Sequence, residues 1–162
     1  FLFCCFTGLA YADVNKLTKN DLVPGLNCET WIKTRRQKTK TLSSIPLLPT
    51  AAGILKKYET HACRTQDNKL LPVLSNQKSN AYLKEIADLC GITKSLTTHL
   101  ARHTFATTVT LSRGVPMETV SKMLGHTSLK TTQIYAQVID SKIGADMEAL
   151  QQQEPLIQIP SK

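Results

Sequence analysis

The chain has 162 residues, 41% of them apolar, with a formal net charge of +8 and a sequence pI near 9.4. This size and apolar fraction fit one globular domain with its own core, and the ordinary content of charged residues, glycine and proline excludes a disordered chain or a fibrous repeat. The basic excess favours a polyanionic partner, with nucleic acid first and an anionic membrane surface second.

The first twelve residues, FLFCCFTGLAYA, have the apolar run and the A-x-A ending of a signal peptide. No basic region precedes the run, and it is too short to cross a bilayer. We expect instead a buried helix that has lost its beginning, in a domain cut from a longer protein. The five cysteines are odd in number and form no C-x-x-C pair, so we expect reduced thiols in an intracellular protein.

After a second short helix, the chain changes to the pattern of a hairpin. The β-favouring segment 31–34 leads into a basic polar turn at 37–40, and the apolar segment 42–48 follows. Pro46 and Pro49 mark the second strand as an edge strand or as its end.

Amphipathic spacing predicts helices through the rest of the chain, with Gly91, Gly114 and Gly125 as stops. The predicted segments are 50–61, 78–91, 97–114, 116–125, 127–138 and 140–153. The sequence therefore predicts a mainly α fold with a small antiparallel β-hairpin or sheet. We expect one domain over residues 1–150, followed by a flexible tail at 151–162.

The segment HLARHTFAT puts His99, Arg102 and His103 on one face of a helix. A metal site, a phosphate site and a solvated surface are the three interpretations. The two histidines have zinc-protease spacing, but neither the intervening glutamate nor a nearby third ligand is present, so we expect no metal. The phosphate interpretation gains from LGHTSLKTTQIYAQV, where His126 follows a helix end and Tyr135 lies on the next helix.

The segments TGLAYAD, HLARHTFAT and LGHTSLKTTQIYA resemble the catalytic domain of the tyrosine recombinases, the phage-integrase family. They are particularly similar to integrases of mobile elements in Bacteroides-like bacteria. The resemblance implies the tyrosine-recombinase fold and site-specific DNA cleavage and rejoining without metal, ATP or another cofactor. It also implies double-stranded DNA as partner, a homotetramer on DNA, a monomer in isolation, no membrane, and a bacterial cytoplasm. From the resemblance we expect the family's N-terminal DNA-clamp domain to lie outside this sequence.

The resemblance assigns roles to the motif residues. Tyr135 is the expected nucleophile, which attacks a phosphodiester and leaves a 3′-phosphotyrosyl link and a free 5′-hydroxyl. Arg102 is expected to clamp a non-bridging phosphate oxygen, and His126 to donate a hydrogen bond to the same phosphate. His99 is expected to assist proton transfer with Tyr135. His103 is expected to brace the site or to contact DNA.

The basic turn supplies the remaining candidates. Lys38 is the expected general acid for the 5′-oxygen, and Lys40 on the same turn is expected to contact DNA. Most of the family has arginine at the position of Ala10, so either the domain is catalytically dead or another cation replaces it. Arg36 is the candidate replacement, at the end of the first hairpin strand. Arg35 points to the opposite strand face and is a further DNA-contact candidate.

Other interpretations stay open on the sequence. Ala10 motivates a catalytically impaired DNA-binding accessory protein, and the shared chemistry motivates a type IB topoisomerase-like activity. Asp13 is expected to be a helix cap or a site-bracing acid. In this family a C-terminal segment docks on the adjacent subunit; here Ile143, Met147 and Leu150 form an apolar stripe that either does so or packs on its own domain.

Overall fold

The computed structural model of the protein describes residues 1–25, 29–135 and 140–151. Helices surround one small antiparallel sheet, which confirms the predicted fold class. The elements run in the order α1 (Leu2–Thr7), α2 (Tyr11–Asn15), β1 (Leu22–Pro24), β2 (Thr30–Arg35), β3 (Leu42–Pro46), α3 (Pro49–Lys57), α4 (Ala62–Gln66), α5 (Asn76–Leu89), α6 (Thr98–Thr104), α7 (Met117–Leu124), α8 (Leu129–Gln133) and α9 (Asp140–Gln151). Most of the predicted tail, residues 152–162, lies outside the described residues.

The sheet has the order β1-β2-β3, with both neighbours antiparallel to β2. In the predicted hairpin Arg35 pairs with Leu42 and Trp31 with Pro46, so β3 is an edge strand that ends at its proline. The sequence did not predict β1. Its three residues are too few to show an alternating pattern, and it forms because Leu22 pairs with Ile32.

The long helix predicted over 97–114 is continuous but not regular. Thr97 caps it, because its hydroxyl accepts a hydrogen bond from the N–H of Leu100 at 3.1 Å. After α6 the chain widens into a π-helical turn over Phe105–Thr110, where the Thr110 hydroxyl bonds back to the backbone. Gly114 ends the segment at φ 83°.

The core lies where α1, α6, α7 and β3 meet. Phe105, Leu9, Leu124 and Ile45 are almost fully buried there. This packing brings the end of α1 against the end of α7. It also brings the end of α1 against the middle of the α6 segment, which is the helical stretch from α6 to Gly114. The candidate site is built at that junction.

Gly8, the left-handed stop of α1, provides a test of this junction. Its φ is 67°, and a Cβ on it would lie 2.4 Å from Cδ1 of Phe105 and 2.8 Å from Cδ2 of Leu124. We expect Gly8→Ala to lower the free energy of unfolding by about 2–4 kcal/mol in chemical denaturation. The matched variant is Gly114→Ala, which has a left-handed φ but nothing described within 4 Å. It should lose only about 1 kcal/mol, and equal losses would contradict the packing argument.

The opening helix α1 is buried, as the sequence predicted, with Phe3, Cys4 and Cys5 in the core. Cys4, Cys5, Cys63 and Cys90 are free, and burial raises the pKa of the Cys4 thiol to about 11. Cys28 lies outside the described residues. Among the residues that the structure covers, no helix has both the length and the apolar character that crossing a membrane requires.

Candidate active site

Arg102 is the centre of the candidate site. It projects from α6 with only 4% of its surface exposed. Its Nη1 donates to the carbonyl of Gly8 at 2.5 Å, and its Nη2 donates to the carbonyl of Leu124 at 2.6 Å. Burial and then the charge of Arg36 lower the pKa of Arg102 to about 10, so the guanidinium remains cationic at neutral pH. Two helix ends therefore fix the plane of a buried cation.

His126 is held against Arg102 by the turn that follows α7. Gly125 ends the helix at φ 61°, and the next side chain turns back toward the core. Nη2 of Arg102 lies 3.0 Å from Nε2 of His126, and Nδ1 of His126 lies 2.8 Å from the hydroxyl of Thr132. Because a guanidinium only donates, Nε2 accepts, and the ring proton is assigned to Nδ1, facing Thr132. Thr132 thus sets the orientation of the imidazole.

The charge state of His126 gives a prediction for stability against pH. Burial, followed by the charges of Arg102 and Arg36, lowers the pKa of His126 to about 4. The unfolded chain binds this proton near pH 6.5 and the folded chain only near pH 4. We therefore expect stability to be lost as pH falls through this window, by about 1 kcal/mol after allowance for solvent screening. Denaturation curves at several pH values should show this loss in wild type and a smaller one in His126→Gln. An unchanged dependence in His126→Gln would contradict the assignment.

Tyr135 lies beyond the helix on which the sequence predicted it. Helix α8 ends at Gln133, and the N–H of Tyr135 donates to the carbonyl of Thr132 at 2.9 Å in the turn that follows. Two adjacent β-branched threonines make α8 a weak helix, which accounts for its early end. The electrostatic interaction with Tyr135, and a hydrogen bond that the Arg102 guanidinium donates to its phenol oxygen, oppose the lowering of the Arg102 pKa. The phenol therefore faces the guanidinium.

Two imidazoles flank the Tyr135 ring. The His103 ring meets it edge to face with 4.7 Å between centroids, and the His126 ring lies nearly parallel to it at 6.2 Å. His99 is exposed, and it forms no hydrogen bond or ring contact with any residue that the structure describes. The structure thus brings His103 and His126 to Tyr135 and leaves His99 at the rim, one turn before Arg102.

Arg36 enters the same pocket from the hairpin. Its N–H donates to the carbonyl of Thr41 at 2.9 Å, which closes the turn directly after β2. Its side chain is largely buried, with Nε 3.6 Å from the carboxylate of Asp13. Its charge lowers the pKa values of both Arg102 and His126, so the three groups lie near one another. Ala10 begins α2, the helix that carries Asp13.

The other basic residues of the hairpin are exposed. Lys38 lies in the turn and, within the described chain, its amine has no hydrogen bond or ion pair. Lys40 adopts φ 58°, and its carbonyl accepts from Nη1 of Arg35 at 3.3 Å. Arg35 is exposed and Thr34 before it is buried, as strand alternation predicts. The hydroxyl of Thr41 donates to the carbonyl of Gly125 at 2.6 Å and ties this turn to the residue before His126.

Some contributors to the site could not be found from the sequence. The carbonyls of Gly8 and Leu124 carry no side-chain signal, and Thr132 is one of two threonines in a short helix. Asp13 was expected to cap a helix or to brace the site. In the structure it ion-pairs with Arg36 and also accepts from the N–H of Gln37.

Comparison with known proteins identifies the family. The model of the phage integrase family matches residues 1–142. A tyrosine recombinase of Pseudothermotoga lettingae is 30% identical over 140 residues, which cover 85% of this chain and 48% of that protein. The chain therefore spans about half the length of the curated relatives it matches.

Two solved structures show the same fold. The XerA recombinase aligns with a TM-score of 0.70 at 24% identity, over 93% of this chain and 56% of that one. The XerH recombinase in its post-cleavage complex with a difH substrate aligns with a TM-score of 0.69 at 21% identity, over 93% of this chain and 45% of that one. This chain has the fold of tyrosine-recombinase catalytic domains, and it belongs to the phage integrase family.

Proposed function

We propose that this chain is the catalytic domain of a site-specific DNA recombinase that uses Tyr135 as its nucleophile. The convergence of the phenol of Tyr135, the imidazole of His126 and the buried guanidinium of Arg102 carries this proposal. Double-stranded DNA is the proposed substrate; the related XerH recombinase is bound to its difH substrate. The finer assignment is an integrase of a Bacteroides-type mobile element, acting as a homotetramer on DNA in a bacterial cytoplasm and monomeric without DNA.

The proposed step exchanges one phosphate ester for another. The Tyr135 oxygen bonds to phosphorus, the bond from phosphorus to the 5′-oxygen breaks, and a phosphotyrosine remains on the 3′ side. The phenolic proton passes to His99, which forms no hydrogen bond or ring contact with a described residue in the free protein and is proposed to approach Tyr135 only when DNA is bound. Lys38 gives a proton to the leaving 5′-oxygen. Attack by a 5′-hydroxyl reverses the step. Because the linkage conserves the ester bond, resealing needs no ATP.

Positive charge around the phosphate supplies most of the proposed rate enhancement. The guanidinium of Arg102 is already fixed by its two carbonyl acceptors, so it need not reorganise as the phosphorane forms. His126 lies beside it for a second hydrogen bond. Exposed Arg35, Lys38 and Lys40 supply a cationic loop for DNA phosphates, and His103 braces the Tyr135 ring.

Arg36 is proposed to replace the cation that Ala10 lacks. Its charge acts on both Arg102 and His126, and it faces Asp13 on the helix that Ala10 begins. This favours an active recombinase over a catalytically impaired DNA-binding accessory protein.

The experiment that tests the function is capture of the covalent adduct by the full-length protein. Nicked duplexes with random flanking sequence lose the 5′-hydroxyl fragment after cleavage, so a phosphotyrosyl adduct accumulates. We expect an adduct that peptide mass spectrometry maps to Tyr135. A protein that retains duplexes but forms no adduct from any member of the pool would be the DNA-binding accessory protein instead.

Replacement by Arg36 has its own test in the same assay. We expect Arg36→Ala to lower the cleavage rate at saturating DNA about 10²-fold, because the guanidinium that donates hydrogen bonds to the phosphate is lost. Lys33→Ala is the matched control, since it removes an exposed charge from the same strand. Its cleavage rate should stay near wild type. Cleavage by Arg36→Ala at the wild-type rate would refute the replacement and leave the recombinase proposal in place.

A further inference from the structure

We propose that Asp13 and Lys16 are positioning residues that hold Arg36 in the candidate active site. Asp13 lies in α2, and Lys16 is the residue that directly follows this helix. The inference rests on the proposed function, because it concerns how the replacing cation is aimed at the substrate phosphate. Neither residue is proposed to touch DNA.

The backbone on both sides of Arg36 is held from this one helix. The carboxylate of Asp13 accepts a hydrogen bond from the N–H of Gln37 at 2.8 Å. The amine of Lys16 donates to the carbonyl of Arg35. The peptide before Arg36 and the peptide after it are therefore both anchored to α2. Arg36 lies just outside β2, so these anchors add to the strand pairing that ends at Arg35.

The same carboxylate also orients the side chain of Arg36. Asp13 is 2% exposed, and its oxygens lie 3.6 Å from Nε of Arg36 and 3.5 Å from Nζ of Lys16. A carboxylate is costly to bury unless positive charges and hydrogen-bond donors surround it. Here the two cations and the backbone N–H surround the Asp13 carboxylate. The backbone of Gly125 also lies against this side chain, since a Cβ at Gly125 would lie 2.7 Å from Cδ of Arg36. The Arg36 side chain is thus close to both the carboxylate and the glycine backbone.

The hydrogen-bonding donors of Arg36 remain available in this arrangement. Nε of Arg36 is buried and has no hydrogen-bond acceptor among the described residues, since the Asp13 carboxylate lies beyond hydrogen-bond distance. Arg102 differs, because its Nη1 and Nη2 already donate to protein carbonyls. Asp13 therefore aims a guanidinium without occupying its donors. That is what a substrate-binding cation requires.

A double-mutant cycle tests whether Asp13 and Lys16 act through Arg36. The assay is single-turnover cleavage of the nicked duplexes by the full-length protein at saturating DNA. We expect Asp13→Asn to slow cleavage about 10-fold or more and Lys16→Met about 3-fold. Lys16→Arg should restore the rate, because it can still donate to the Arg35 carbonyl. Combining Asp13→Asn with Arg36→Ala should be no slower than Arg36→Ala alone.

Additive losses in the combined variant, or wild-type cleavage by both single variants, would overturn the inference. A second readout is independent of cleavage: the Nε–H NMR signal of Arg36 should be protected from exchange in wild type and exposed in Lys16→Met. Lys16 is partly exposed, so this variant should fold even if Asp13→Asn does not. Equal protection in both proteins would also overturn the inference. Failure of the proposed function gives a different result, namely no adduct with wild-type protein.

Discussion

Tyr135→Phe is expected to abolish the covalent adduct and to lower strand cleavage by at least about 10³-fold. The substitution removes the attacking oxygen and leaves the ring. The edge-to-face contact with His103 at 4.7 Å and the parallel arrangement with His126 are both made by ring atoms, so they are retained. We therefore expect DNA binding within about twofold of wild type in a gel-shift titration. The melting temperature should fall by only about 2–4 °C, because the hydrogen bond between the phenol and Arg102 is lost.

Tyr82→Phe is the matched control for this variant. Tyr82 lies on α5 with 55% of its surface exposed, away from the pocket, so its cleavage rate should equal that of wild type. A covalent adduct that persists in Tyr135→Phe would show that another residue is the nucleophile. Loss of the adduct in both variants would show that the effect is not specific to position 135.

Arg102→Lys is expected to have the second largest effect, with cleavage falling about 10³-fold. Lysine keeps the charge but lacks the planar fork that reaches two carbonyls and His126 together. A single ammonium at this depth leaves at least one carbonyl without its donor and the imidazole without its anchor. The same loss should lower the free energy of unfolding by about 2–4 kcal/mol.

The two consequences at Arg102 are measured separately. Single-turnover cleavage, assayed well below the melting temperature, reports the chemistry, and chemical denaturation reports the lost hydrogen bonds. Arg113→Lys, at an exposed position at the end of the α6 segment, should change neither quantity. Wild-type cleavage by Arg102→Lys would contradict the proposal that the fork, rather than the charge alone, binds the phosphate.

The helical half of the fold could be predicted because its signals are local. Gly114 and Gly125 end their helices, as the sequence predicted, and Thr97, at the start of the predicted segment, caps α6. Strand β1 could not be predicted, because three residues become a strand only when a partner supplies the pairing. The π-helical turn at Phe105–Thr110 could not be predicted either, because a helical sequence pattern does not distinguish a π-helical turn from an α-helix.

The candidate site was predictable as a set of residues but not as an arrangement. His99 and His103 share one face of a helix, so spacing alone cannot decide which imidazole reaches Tyr135. The answer depends on how the turn after α8 lies against α6, which is a tertiary property; there His103 makes the contact. Arg36 was predicted as the replacing cation, whereas its anchoring through Lys16 depends on a contact with the hairpin that no local pattern reveals.

The carbonyls that hold Arg102 belong to the last turns of two separate helices, α1 and α7. If either terminus frays, the guanidinium loses an acceptor even though no motif residue has changed. Local unfolding of these helix ends can be measured as amide hydrogen exchange near Gly8 and Gly125. It therefore sets an upper bound on the fraction of molecules that are competent to react. Substitutions remote from the pocket that loosen the α1 terminus would reduce turnover without altering its chemistry.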